Sequence, residues 1–283
     1  MITTDFLSGL DRFRLIVKKR VTSKYSGGRK SPFLGRGTSV KDYRAYVPGD
    51  DFRLIDWRIY ARTDDLYVKR FEEEKDLTVH IVIDSSSSMD YGNPKKFDYA
   101  SMLGVGFAYL AMKDNEKFRF STFSDTLQMF KAERGMNHLA LMVDHLNSVK
   151  TSGQSVFAET MNKYRLLLKT RALLVVISDF LFDFNEIEQG LLSVAGGDMK
   201  VIQVLDKTER KLEIEGDFKL KDSESSDIMQ TYVSARLKTE YQHSIEEHAS
   251  KIAQVCAGLK ADYHLITTNT PIFDAFHMMT KEK

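Results

Sequence analysis

Two hydrophobic periods take turns along this chain from about residue 76 onward. Leu77, Val79, Ile81 and Ile83 alternate with polar neighbours, and Val82 thickens the run, which predicts a buried strand. Phe97 to Met112 is apolar nearly all round, so it predicts a central buried helix, with Asn93-Pro94 as its N-cap and first position. Lys117 to Phe123 alternates as a strand, and Asn137 to Leu146 and Val156 to Leu168 follow the helical period. Ala172 to Ile177 is an unbroken β-prone run, the pattern of a strand covered on both faces. A helix over Phe184 to Val194 and a strand over Lys200 to Leu205 continue the rhythm. Thr208 to Tyr232 alternates around Gly216-Asp217 and predicts a hairpin excursion. A long helix then runs from Ser234 with Leu237, Tyr241, Ile245, His248, Ile252 and Val255 on one stripe. Tyr263 to Ile266 is a last strand, and Thr270-Pro271 opens a terminal helix.

Strands separated by helices imply an α/β fold with a doubly wound, mainly parallel sheet. Residues 1–75 do not share the rhythm and are expected to form a basic arm and a small N-terminal β-rich lobe. The α/β domain is expected over 76–283, with the hairpin insertion near 208–232.

At 283 residues, 42% hydrophobic and 29% charged, the chain has the composition of a globular protein rather than a disordered one. Its 41 Lys+Arg nearly cancel its 40 Asp+Glu, so no whole-molecule field draws it to polyanions. The distribution is uneven, however. Arg12 to Lys41 holds ten basic residues and no acid, a stretch that reads as a solvated arm or as a surface for phosphate or an acidic partner. Aromatics are sparse there, which disfavours base stacking and hence nucleic acid. The single cysteine, Cys256, excludes an internal disulfide and a cysteine-built metal site, and suits a reducing compartment. The start has no apolar run followed by a cleavage site, and no stretch approaches the ~18 apolar residues of a membrane helix. A cytoplasmic protein with no membrane span is the expectation.

Open parallel sheets bind ligands beyond the carboxyl ends of their strands. Two acids stand at such ends: Asp84 closes one strand and Asp179 follows another. Asp84, Ser86 and Ser88 share a two-residue spacing in the turn after the first strand. Carboxylates and hydroxyls without nitrogen or sulfur make a hard-oxygen set suited to Mg²⁺ or Mn²⁺. They are too few to close an octahedron, so water or an incoming carboxylate has to complete it.

This Asp84-x-Ser86-x-Ser88 pattern, with a later strand ending in Asp179, resembles the metal-ion-dependent adhesion site of von Willebrand factor A domains, a Rossmann-like fold. That family adds a threonine, usually after a glycine, between the two segments. Gly153-Gln154-Ser155 makes Ser155 the matching position here, with Thr151 as the alternative. A second resemblance covers almost the whole chain. Gly35-Arg36-Gly37, Arg44-x-Tyr46-x-Pro48-Gly49-Asp50-Asp51-x-Arg53-x-Ile55-Asp56-Trp57, Ala61-Arg62, Glu74 and Asp206-x-x-Glu209 are similar to the signature of the bacterial family called domain of unknown function 58. The resemblance implies a protein–protein interaction module working with a MoxR-type AAA+ ATPase, in which a bound Mg²⁺ or Mn²⁺ accepts a Glu or Asp carboxylate from the partner. Tyr46 to Asp50 reads locally as a turn. Arg44, Asp50, Asp51, Arg53, Asp56 and Trp57 are expected to serve partner binding or a packed cluster between lobes.

Catalysis is not expected. Asp84 at a strand end is similar to phosphoryl-transfer aspartates, but Ser86 stands where such enzymes need a second aspartate. No G-x-S-x-G or G-x-x-x-x-G-K-[ST] occurs. The competing classes are thus a metal-dependent phosphoryl-transfer enzyme and a polyanion binder acting through the basic arm, whose binding would fall steeply with salt.

Overall fold

The computed structural model describes residues 6, 9–10, 40–71, 77–168, 172–212, 216–221 and 228–280. The chain divides into two units, Lys18–Asp76 and a larger one comprising Met1–Val17 and Leu77–Lys283. Met1–Val17 groups with the larger unit, in which Phe6 and Leu10 are buried core residues and Phe6 stacks on Phe273 at 6.0 Å. The basic arm and Gly35-Arg36-Gly37 lie outside the described residues, apart from Val40 and Lys41, and so does Glu74.

In the smaller unit, strand β1 (Val40–Ala45) pairs antiparallel with β2 (Tyr67–Phe71). Between them the chain turns at Gly49, whose φ of 108° favours glycine, and Asp50 N–H donates to Val47 O at 3.0 Å. A short 3-10 turn (Phe52–Leu54) and helix α1 (Trp57–Thr63) follow. Of the lobe expected over 1–75, the described part is this two-stranded antiparallel sheet with one short helix. Asp56 starts that helix by accepting the N–H groups of Arg58 and Ile59 at 3.0 and 3.4 Å. No residue of α1 is buried, so it carries no apolar stripe by which its period could have been read.

The larger unit is built on a six-stranded sheet. Its strands are β3 (Thr78–Asp84), β4 (Lys117–Phe123), β5 (Leu127–Met129), β6 (Ala172–Ser178), β7 (Asp198–Leu205) and β10 (Asp262–Thr267), in the spatial order β10-β7-β6-β3-β4-β5. All neighbours are parallel except β4 and β5. Helices α2 (Lys96–Lys113), α3 (Met136–Ser148) and α8 (Ile272–Thr280) contribute to one hydrophobic core, and α4 (Phe157–Arg165), α5 (Phe184–Ser193) and α7 (Ala235–Gly258) to another. The strands between them alternate as a pleat requires: Ile81 and Ile83 belong to the first core and Val82 to the second. β3 and β6 are covered on both faces, which is why they read as almost continuous apolar runs. The doubly wound, mostly parallel sheet expected from the alternating periods is what forms.

Two details differ from the sequence expectation. Helix α2 begins at Lys96 with Lys95 as N-cap, not at Asn93-Pro94, because residues 92–95 form a turn that brings Lys96 N–H to Tyr91 O at 2.9 Å. The excursion after β7 starts with a four-residue helix, α6 (Lys207–Arg210), before β8 (Gly216–Lys221) and β9 (Ile228–Val233) pair antiparallel.

Helix α2 sits close to its neighbours because of its glycines. A Cβ on Gly106 would lie 2.0 Å from Cζ of Phe276, whose ring in α8 is fully buried. Gly106→Ala is expected to cost about 1–3 kcal/mol through overpacking, read as a lower urea midpoint. An unchanged midpoint would mean that α8 can step away freely.

Candidate functional site

The chain winds away from β3 in opposite senses, through α2 to β4 on one side and later to β6 on the other. The carboxyl ends of β3 and β6 thus flank the switch point of the sheet, where ligands of open α/β sheets bind. Asp84 ends β3 there, with no exposed surface, and Asp179 stands one residue past β6, 1% exposed.

Local hydrogen bonds fix the loop after β3. Asp84 Oδ1 accepts Ser86 N–H at 2.9 Å, an Asx-type turn that folds the serines back over the carboxylate. The Ser86 and Ser88 hydroxyls lie 3.1 Å apart, and Ser88 is half-buried. A second loop is laced to the first: Ser87 N–H donates to Gly153 O and Ser152 N–H to Ser85 O, each at 3.0 Å. Gly153, at φ 78°, leaves room for Asp125, whose Oδ1 would be 2.1 Å from a Cβ. This lacing carries Ser155 to Asp84, where its hydroxyl donates to Oδ2 at 3.4 Å. Thr151 stands elsewhere. Together with Asp90, Lys95, Asp98 and Lys150 it lines a concavity of about 390 Å³, where Lys95 and then Thr151 hold the Asp90 carboxyl below its ordinary range. Of the two candidate hydroxyls, Ser155 is the one that meets Asp84.

Two side chains that the sequence did not single out complete the centre. Ser178 Oγ donates to Asp84 Oδ2 at 2.6 Å and accepts Phe180 N–H at 3.0 Å. Phe180 has a φ of 52°, a left-handed conformation that a bulky side chain seldom adopts. His248 Nε2 donates to its carbonyl at 2.7 Å, and Phe157 packs edge-on against its ring at 5.5 Å, so the strain is held from two sides. The second unforeseen group is Lys96. Fully buried, it donates to Asp179 Oδ2 at 2.8 Å and to Glu209 Oε1 at 2.5 Å. Glu209 Oε2 accepts Asp206 N–H at 2.8 Å, and the Asp206 side chain accepts Thr208 N–H at 2.9 Å, so the Asp206-x-x-Glu209 pair is a capping box.

Burial and charge together set the titration of the centre. Burial first, and then the neighbouring charge of Asp179, push the Asp84 carboxyl up to about 7, against the hydrogen bonds from Ser178 and Ser86. Burial would lower the Lys96 ammonium, but Asp179 and Glu209 outweigh it and hold it above its ordinary range. Burial raises the Glu209 carboxyl despite Lys96. Among the described residues, no three histidine, cysteine or acidic side chains converge to hold a metal. A metal here would rest on hydroxyls. Asp84, Ser86, Ser88 and Ser155 offer one carboxyl group and three such oxygens, and this donor set fits a hard divalent cation. Asp179 belongs to the same centre, but one of its oxygens faces Lys96 and the other accepts Leu181 N–H at 3.2 Å.

The residues predicted for partner binding or lobe packing have local roles in the smaller unit. Arg44 pairs with Asp50 at 2.6 Å, Asp51 caps the 3-10 turn through Arg53 N–H at 3.0 Å, and Asp56 pairs with Lys69 at 3.3 Å. Arg53 is exposed, and Trp57 is 58% exposed with its ring edge-on to Tyr60 at 6.0 Å. Within this unit the contacts of Asp51 and Asp56 are those of a turn, a helix cap and an ion pair.

An open, doubly wound sheet with a carboxylate and hydroxyls gathered at its switch point defines the chain as an α/β protein built to present an oxygen-lined centre at its strand ends. It belongs to the family described as "Protein of unknown function DUF58", which it matches over residues 42–251. An uncharacterized protein of Mycobacterium tuberculosis is 24% identical over 260 residues, 90% of this chain and 82% of that one. Among solved structures, BatB from Bacteroides thetaiotaomicron is similar over 73% of this chain and all of that one, at 16% identity and a TM-score of 0.48. An aerotolerance-related membrane protein from Bacteroides fragilis is similar over 71% of this chain and 97% of its own, at 15% identity and a TM-score of 0.46. Among the described residues, no helix is long and apolar enough to cross a membrane.

Proposed function

We propose that this protein is a non-catalytic interaction module of the von Willebrand factor A type, which captures a partner's Glu or Asp carboxylate at a metal-ion-dependent adhesion site. The observation that carries the proposal is the set of hydroxyl residues beside the fully buried Asp84 at the sheet's switch point: Ser86 binds it through its N–H, Ser88 meets the Ser86 hydroxyl, and the Ser155 hydroxyl donates to it. A bound Mg²⁺ or Mn²⁺ would supply positive charge and an open position for the incoming carboxylate. Asp84 orients the serine loop through Ser86 N–H, Ser178 donates to the carboxylate, and half-buried Ser88 is the hydroxyl a partner would reach. A MoxR-type AAA+ ATPase is the proposed partner, on the strength of the family resemblance.

The test is a Mg²⁺ and Mn²⁺ titration of thermal stability in wild type and Asp84→Ala. A ligand that binds only the native state stabilises it by about 2.7 kcal/mol at a hundredfold excess over its dissociation constant. The expected result is a concentration-dependent rise in Tm for the wild type and none for Asp84→Ala. Equal shifts in both proteins would place metal binding elsewhere. Partner capture that survives both Asp84→Ala and EDTA would remove the adhesion-site reading altogether.

A further inference from the structure

Lys96 is the feature that the proposed function leaves unexplained. Among the described residues it is the only lysine or arginine with a buried side chain. Its position is unfavourable on two counts. It is the first residue of the 18-residue helix α2, where the backbone dipoles present positive charge and a cation is repelled. It is also fully buried, which is costly for an ammonium without partners. What offsets both is Asp179 at 2.8 Å and Glu209 at 2.5 Å, with the Tyr91 ring centroid 5.9 Å away.

The same contacts bear on any metal. Asp84 and Asp179 bring two carboxylates to the centre, and Lys96 is placed between Asp179 and the more distant Glu209. Asp179 lies near enough to Asp84 to act on it by charge, yet it offers its Oδ2 to an ammonium. A divalent ion entering among the serines therefore meets a site whose negative charge is already partly neutralised, and it meets the ammonium's repulsion as well. An added carboxylate would restore the missing negative charge.

Building on the metal-binding reading above, we infer that the Lys96 ammonium is a resident counter-cation that competes with the divalent metal, so that metal is held tightly only together with a partner's carboxylate. Metal and partner are then coupled: each is weak alone, and each strengthens the other to the same degree. The partner chemistry this favours is an acidic side chain, which brings the one charge that Lys96 has cancelled.

The experiment is calorimetric titration of Mn²⁺ into the full-length, EDTA-stripped protein, comparing wild type with Lys96→Met and Lys96→Gln, and with Tm shifts as a second readout. Loss of the ammonium is expected to tighten Mn²⁺ binding about tenfold or more, because a like charge has left a poorly screened site. Glutamine keeps hydrogen-bonding capacity toward Asp179 and Glu209 and should behave as methionine does. Where a variant is unfolded without metal, Mn²⁺ must restore a cooperative transition, since the ion then takes over the charge that the ammonium carried. Mn²⁺ binding to the variants but not to wild type also supports the inference. Binding to wild type that is unchanged or weaker in the variants overturns the inference and leaves the metal site standing. Binding to none of the three proteins, or failure of Mn²⁺ to restore an unfolded variant, overturns it as well. Absence of binding in every folded protein removes the metal site too.

Discussion

Asp84→Asn is expected to stabilise the metal-free protein at pH 8 by roughly 2–4 kcal/mol while abolishing its response to Mg²⁺ or Mn²⁺. The Asp84 carboxyl is raised from 3.8 to about 7 by burial and by the charge of Asp179. Between those values the folded protein keeps a proton that the unfolded chain has released. The contribution of this group is therefore fully present below pH 3.8 and is lost as pH rises through about 7. An asparagine is neutral throughout, can still accept the Ser86 N–H, and does not pay for ionisation in a buried setting. Urea midpoints in EDTA at pH 5 and pH 8 should show a decline attributable to Asp84 in wild type and its absence in the variant. Equal midpoints at pH 8, or an undiminished decline in Asp84→Asn, would mean that the carboxyl does not bear the burial penalty its position implies. An acid kept where it weakens the empty fold is consistent with a group retained for binding rather than for stability.

Lys96→Met carries the other large effect, in the opposite direction. Removing one partner of a buried ion pair leaves the remaining charge without compensation, and such breaks cost about 3–5 kcal/mol. Here two carboxylates are left, Asp179 and Glu209. Denaturant unfolding in EDTA should show this loss for Lys96→Met, and the double variant with Glu209→Gln should recover part of it by removing one orphaned charge. A loss below ~1 kcal/mol, or a double variant no better than the single one, would show that the ammonium contributes little to holding the site together.

The sequence made the sheet legible because its strands are doubly covered. Val79 to Ile83 and Ala172 to Ile177 are apolar on both faces, so they stand out without any partner being known. Asp84-x-Ser86-x-Ser88 was equally visible, because the Asx turn that folds the serines over the carboxylate is a local event within three residues. Lys96 was not visible. Its partners are 83 and 113 residues away, and no spacing rule reaches that far. The one local signal was the odd placement of a lysine at the first position of an otherwise apolar helix. Ser178 was hidden for a related reason, since its bond to Asp84 spans 94 residues. Strand β5 is three residues long, too short to show a period. Helix α1 buries nothing and so displays no apolar stripe. An N-cap and a salt-bridge acid look alike in sequence, and Asp56 is both, capping α1 and pairing with Lys69.

The strand order has a consequence for the chain as it leaves the ribosome. β3 lies between β4, which follows it after one helix, and β6, which is made some ninety residues later, as the Thr78 to Ala172 register shows. While the polypeptide is growing, β3 can pair on one edge only, and its other edge must wait. Ser178 and Asp179 arrive with β6, and Glu209 later still, so the centre cannot be assembled until about three quarters of the 283 residues have been synthesised. The centre is in this sense late-maturing: a nascent chain carries Asp84 and its serines long before it carries the groups that close around them.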